Sequence, residues 1–149
     1  MKLSTKGRYG LKAILQLAVD SKGEQVSLKS IAEKQNISEN YLEQLFAALR
    51  KAGLVKSIRG SQGGYMLGKP AKDITVGEVL RALEGSLAPV DCVVENAPKE
   101  CSRAEECVTR IIWRKMRDSI NSVVDSITLD DLLNDYNNIS ASSAFTYEI

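Results

Sequence analysis

A chain of 149 residues and 16.3 kDa, 44 % apolar and 26 % charged, suits one folded domain with an appendage and is too apolar for long disorder. It holds no histidine, which excludes imidazole general bases, histidine triads and histidine metal ligands within one chain. The net charge of +1 conceals a division: residues 1–72 carry thirteen Lys/Arg against five Asp/Glu, a net of +8, and residues 73–149 carry seven against fourteen, a net of −7.

That asymmetry predicts a basic module that meets a polyanion, joined to an acidic module that does not. No run approaches roughly 18 consecutive apolar residues, so no membrane partner is expected. The N-terminal residues lack the apolar core and cleavage site of a signal peptide, which points to the cytoplasm, where the three cysteines stay reduced. With no histidine and no nucleophile–base pair, an enzyme is not expected.

Apolar Tyr9, Leu11, Ile14, Leu15 and Leu17 recur at helical spacing and predict a first helix over 5–19, closed by Ser21-Lys22-Gly23. Ser27 caps a short second helix carrying Leu28, Ile31 and Ala32, which stops near Asn36, a residue that tolerates the left-handed conformation. Ser38 caps a third helix, Glu39–Lys51, with Leu42, Leu45, Phe46 and Leu49 at i, i+3, i+4 and i+7, and Gly53 stands at its end. Two helices joined by a turn at Asn36-Ile37-Ser38 have helix-turn-helix spacing; the alternative is a plain αα-hairpin.

Residues 54–58 and 65–67 read as two strands around the glycine-rich turn 59–64, which makes the unit a winged helix. That turn lies between strands and lacks the Lys-Ser/Thr of a P-loop, so a nucleotide cradle is set aside. Thr75 with Glu78 forms a capping box for a helix over Val76–Glu84, ended by Gly85. Residues 86–104 lose periodicity and form a loop too long for a connector. A long helix over 104–126 carries an apolar stripe of Val108, Ile111, Ile112, Met116, Ile120, Val123, Val124 and Ile127, which a second copy of the chain would cover in a homodimer. A last short helix over 129–133, capped by Thr128, precedes a polar, mobile tail over 137–149. The expected organisation is a DNA-binding unit over 1–72, a linker helix, cysteine loop and dimerisation helix over 73–136, and the tail. The fold class is mainly α with a small β-hairpin wing: a winged helix-turn-helix plus a long dimerisation helix.

In a winged helix the third helix enters the major groove N-terminal end first. Ser38, Asn40, Tyr41 and Gln44 then lie on the groove side. Gln44 can pair with adenine, and Glu43 can accept from a cytosine amino group while its charge is repelled by phosphate, which makes it a discriminator. Lys6, Tyr9, Ser38, Tyr41 and Arg50 suit phosphate contacts, and Arg59 with Gly60 at the wing tip suits a minor groove. Cys92, Cys101 and Cys107 fall within sixteen residues of one another in polar surroundings. Their spacing is compatible with a soft metal site, zinc with an oxygen ligand, a disulfide switch or small buried side chains, and does not choose among them.

The motifs Leu3-Ser4-Thr5-Lys6-Gly7-Arg8-Tyr9-Gly10, Tyr41-Leu42-Glu43-Gln44-Leu45, Gly53-Leu54-Val55, Ile58-Arg59-Gly60 and Gly63-Gly64-Tyr65 occur in order with Thr75-Val76-Gly77-Glu78-Val79, Trp113-Arg114 and Ile127-Thr128-Leu129. Together they resemble the bacterial winged-helix regulator family that includes the iron–sulfur regulator IscR, the nitric-oxide sensor NsrR and the cysteine-metabolism repressor CymR, over about residues 1–135. The resemblance implies a homodimer that binds two-fold double-stranded DNA, acting as a repressor. It matches Cys92, Cys101 and Cys107 to cluster ligands, implying a [2Fe–2S] cluster, with [4Fe–4S] as the alternative, and control of cluster biogenesis genes. CymR-like members lack those cysteines, and their terminal isoleucine, matched by Ile149, engages cysteine synthase. The chain departs from the IscR pattern in a longer first cysteine gap and in Arg110, which replaces the ligating histidine. The fourth ligand is unassigned among oxygen donors, of which Asp91, Glu95, Glu100, Glu105 and Glu106 are nearby.

Overall fold

The computed structural model describes residues 2–96 and 101–147, without the side chains of 144–147. Among the described residues, six α-helices and one hairpin run in the order α1 (Thr5–Ser21), α2 (Leu28–Gln35), α3 (Glu39–Lys51), β1 (Val55–Ile58), β2 (Gly64–Leu67), α4 (Val76–Glu84), α5 (Val108–Ser126) and α6 (Leu129–Tyr147). Short 3-10 turns occupy Ala71–Asp73 and Asp91–Val93.

The expected caps set the helix ends. The hydroxyl of Ser27 accepts from Ser30 N and that of Ser38 from Tyr41 N, both at 3.1 Å. Each relieves one amide that the first turn leaves unpaired. Asn36 takes φ +53°, which turns the chain sharply between α2 and α3. The capping box of α4 is complete, with Glu78 N donating to Thr75 Oγ1 at 3.0 Å and Thr75 N to Glu78 Oε2 at 3.1 Å.

β1 and β2 pair antiparallel with Val55 opposite Leu67 and Ile58 opposite Gly64. Val26 adds a bridge to Tyr65, with both backbone bonds made, at 2.9 and 2.8 Å. Gly64 permits this approach, because a Cβ there would meet the Val26 carbonyl carbon at 2.7 Å.

The core gathers Ile14 and Leu17 of α1, Ile31 of α2, Leu42, Phe46 and Leu49 of α3, and Val55 of β1. Phe46 meets Tyr65 edge-on, with ring centroids 4.9 Å apart. Ile74, Val79 and Leu129, from the segment read as 73–136, belong to the same core. A two-bond bridge holds the start of α6 there: Val76 N donates to Ile127 O and Leu129 N to Ile74 O, each at 2.8 Å.

Three sequence expectations are corrected. The helix expected from 104 begins at Val108, after a run of turns over 102–106. The first helix continues to Ser21 instead of stopping at 19, and Lys22 ends it at φ +40°. The helix expected over 129–133 runs to Tyr147, so the segment expected as a tail from 137 is helical that far. It holds no proline or glycine to stop it, and Thr128 and Asp131 cap its start reciprocally at 2.9 and 3.1 Å.

Candidate nucleic-acid interface and cysteine loop

The outward face of α3 is a stripe of Asn40, Glu43, Gln44, Ala47 and Arg50, all exposed, at i, i+3, i+4, i+7 and i+10. Leu42, Leu45, Phe46 and Leu49 occupy the opposite, buried face. Ser38 stands exposed at the N-terminal end of this stripe, where the helix dipole and free amides favour an anion.

Lys6, Tyr41 and Gln44 line one small pocket where α1, α3 and α4 meet, with Leu83 of α4 on its wall. Tyr41 is half-buried, its hydroxyl donates to Thr5 Oγ1 at 3.2 Å, and its ring meets that of Tyr9 edge-on at 6.3 Å. The two tyrosines therefore also fix the first turns of α1 against the start of α3. Arg59 and Gly60 are exposed at the wing tip, where Gly60 takes φ +128°, a backbone that side chains rarely adopt. Of the ten residues singled out in the sequence for DNA contact, nine lie on α1, α3 or the wing, and Ser38 caps α3.

Sequence reasoning missed what holds α1 in place. The Glu84 carboxylate, at the end of α4, accepts from Ser4 N at 3.1 Å, from Gly7 N at 2.9 Å and from the Ser4 hydroxyl. It caps the helix from 77 to 80 residues away in sequence, so no local pattern announces it. Gly7 and Gly10 do carry a legible signal, since two glycines at i, i+3 allow close helix approach. A Cβ at Gly7 would stand 2.6 Å from Glu84 Oε1.

The cysteine loop is strapped to α5 by arginines. Arg110 Nη2 donates to Cys92 O at 3.4 Å, and Arg117 Nη1 donates to Val93 O at 3.1 Å. Arg110 Nε is buried and lacks a partner. Asn121 Nδ2 donates to Glu95 Oε1 at 2.9 Å, and Ser86 Oγ to Glu95 Oε2 at 2.8 Å; these bonds hold the Glu95 carboxyl below its ordinary range. Arg81 of α4 grips Asp125 of α5 with both Nη atoms, at 2.7 and 2.9 Å, and Nη2 also donates to Asn121 Oδ1 at 2.9 Å. The arginine lowers the Asp125 pKa.

All three cysteines are free thiols: Cys92 and Cys107 half-buried, Cys101 exposed. Cys107 immediately precedes α5, and its Sγ lies 3.2 Å from Thr109 Oγ1. That bond, the Arg110 amide and the Arg110 charge lower the thiol pKa. Among the described residues no three Cys, Asp or Glu side chains are gathered closely enough to hold a metal. Glu100 lies outside the described residues, as does Ile149. No helix among the described residues is long and apolar enough to cross a membrane.

Comparison with known proteins agrees with this architecture. Residues 3–135 match the Rrf2 family, described as an iron-dependent transcriptional regulator. The HTH-type transcriptional regulator CymR of Bacillus subtilis is 48 % identical over 132 residues, covering 89 % of each chain. Its solved structure superposes with a TM-score of 0.73 over 90 % of this chain and 97 % of that one. The HTH-type transcriptional regulator IscR of Escherichia coli is 43 % identical over 134 residues, 90 % of this chain and 81 % of that one. The structure of T. potens IscR is 51 % identical, with a TM-score of 0.73 over 91 % of this chain and 88 % of that one. The chain belongs to the Rrf2 family of winged-helix transcriptional regulators.

Proposed function

We propose that the chain is a homodimeric, operator-binding repressor whose cysteine loop holds an iron–sulfur cluster and which controls cluster biogenesis genes. The observation that carries this reading is three free thiols on one loop, two of them beside Arg110, whose guanidinium keeps a buried N–H without a partner. Thiolates are the soft ligands such a group requires, and a nearby cation offsets their negative charge. The donor set therefore fits chemically, with Cys92, Cys101 and Cys107 as ligands and a [2Fe–2S] cluster preferred to [4Fe–4S]. Arginine is not an iron ligand, so the fourth position falls to an oxygen donor or to the partner subunit. Glu95 is already engaged by Asn121 and Ser86, which leaves Asp91, Glu105 and Glu106 among the described candidates. The group would supply sensitivity to iron and oxidants; the protein side supplies the three thiols and the arginine straps on the loop backbone.

On the DNA side, Gln44 and Glu43 read base edges. Lys6, Tyr9, Ser38, Tyr41 and Arg50 position the backbone, Asn40 faces the major groove, and Arg59 with Gly60 enters the minor groove. Dimerisation rests on α5, a nineteen-residue helix with no buried residue in the single chain. Val108, Ile111, Ile112 and Val123 are 75, 52, 52 and 58 % exposed. A second copy covers such a face through a two-fold pair of helices, which also spaces two winged helices for a two-fold operator.

A second reading is supported by the similarity to CymR: a repressor of cysteine and sulfur metabolism that acts with cysteine synthase through Ile149. One experiment separates the two. Protein purified without oxygen is expected to be coloured, with iron and acid-labile sulfide bound, and Cys92→Ala is expected to lose both. A colourless, iron-free protein whose operator binding ignores Cys92→Ala overturns the cluster reading in favour of the second.

A further inference from the structure

Helix α4 carries polar side chains at 78, 81 and 84, and each reaches a different part of the molecule. Successive members rise about 4.5 Å and turn about 60°, so the three fan across one side of the helix. Glu78 accepts from Lys69 Nζ at 3.0 Å, just beyond the end of β2 and therefore at the root of the wing. Arg81 holds Asp125 and Asn121 of α5, and Asn121 in turn holds Glu95, three residues past Cys92. Glu84 caps α1, whose Thr5 and Tyr9 touch Tyr41 at the start of α3.

We propose that Arg81 and Glu84 are positioning residues for DNA reading, through which α4 passes the state of the cysteine loop to the first turn of α1 and to Tyr41. The inference rests on the reading of that loop as the sensor. Its physical basis is the absence of slack. A Cβ at Gly77 would collide with Asp125 Oδ1 of α5, and one at Gly7 would stand 2.6 Å from Glu84 Oε1. With bare backbone at both contacts, a displacement of α4 is not absorbed by intervening side chains. Ser4 and Gly7 present amides that the first turn of α1 leaves unpaired, and Glu84 is their acceptor. A shift of Glu84 therefore moves the turn that carries Lys6. The Arg81–Asp125 pair is solvent-accessible and adds little stability; its bidentate geometry fixes orientation.

Two readouts test the inference on the full-length dimer. The first is amide exchange at Gly7, followed in Arg81→Gln, with Glu84→Gln as the direct positive control. Exchange about fivefold faster or more in Arg81→Gln, partly restored in Arg81→Lys, supports the relay. Exchange at the wild-type rate overturns it, whether or not a cofactor is bound. The second is a double-mutant cycle of Cys92→Ala with Asn121→Ala, read as affinity for a duplex that the wild-type protein selects from a random pool. Asn121→Ala leaves the Arg81–Asp125 grip in place and cuts the connection that runs from Arg81 through Asn121 to Glu95. If the loop acts through this link, the effect of Cys92→Ala shrinks to within about twofold in the Asn121→Ala background. An undiminished effect overturns the inference. A colourless wild-type protein defeats the cluster reading instead, and exchange at Gly7 then decides the link from α4 to α1.

Discussion

The winged helix and α5 treat their apolar residues in opposite ways. Phe46, Ile14, Leu17, Ile31, Leu42 and Leu49 are fully enclosed by α1 to α4 and the hairpin, whereas no residue of α5 is more than half-buried in the single chain. The charges divide along the same line, +8 over residues 1–72 and −7 over 73–149. The first region encloses its apolar residues, with Ile74, Val79 and Leu129 of the acidic segment completing the core, and offers its charge to a polyanion. The second is amphipathic but unfinished: its apolar stripe needs another surface, and its acidic composition keeps phosphate away. In the function proposed above, the first region reads DNA and the second responds.

Substitutions on the two sides of this division have different consequences. Phe46→Ala removes a fully buried ring and its edge-on contact with Tyr65, and is expected to cost about 3–5 kcal/mol in denaturant unfolding. Ile111→Asp together with Val123→Asp, on exposed positions of α5, is expected instead to weaken self-association in sedimentation while leaving the far-ultraviolet spectrum unchanged. Equal loss of fold in both variants would erase the distinction. Gly64→Ala places a methyl against the Val26 carbonyl and is expected to cost about 1–3 kcal/mol. Arg59→Ala, which touches neither core nor α5, is expected to weaken binding to the selected duplex about tenfold and to reduce the salt slope by about 1, with unfolding unchanged. The smallest effect concerns the grip between α4 and α5. The Asp125 pKa is lowered by Arg81, so this grip contributes fully above the ordinary carboxylate range and is lost as pH falls through it and below. Asp125→Asn is expected to abolish that acid-side component in pH-dependent unfolding.

Much of the first region is legible in the sequence because its determinants are local. Ser27, Ser38, the Thr75–Glu78 box and Asn36 each act within a few residues, and the apolar spacing of α3 alone tells which face meets the core. The second region resists such reading. The C-terminal part of α6 has no apolar stripe to mark it as helix, and Asn137 to Ser143 look like loop composition. The polar network from Glu95 through Asn121 and Arg81 joins residues 26 and 40 apart, and the Glu84 cap reaches further still. Side chains that act at such separations leave no periodicity. The cysteines were visible as a cluster in sequence, but the spacing alone did not identify what they bind. Arg110, set apart as a departure from the family pattern, emerges as a strap on the Cys92 carbonyl.

The central claim is that the acidic region controls the basic one. It is tested most directly by fluorescence-anisotropy titration of the selected duplex and of a scrambled duplex. Each is titrated with anaerobically purified protein and with the same protein stripped of iron. The account predicts that the two protein forms differ about fivefold or more on the selected duplex and coincide on the scrambled one. Coincident curves on both duplexes, from a preparation that demonstrably carried iron, would contradict it.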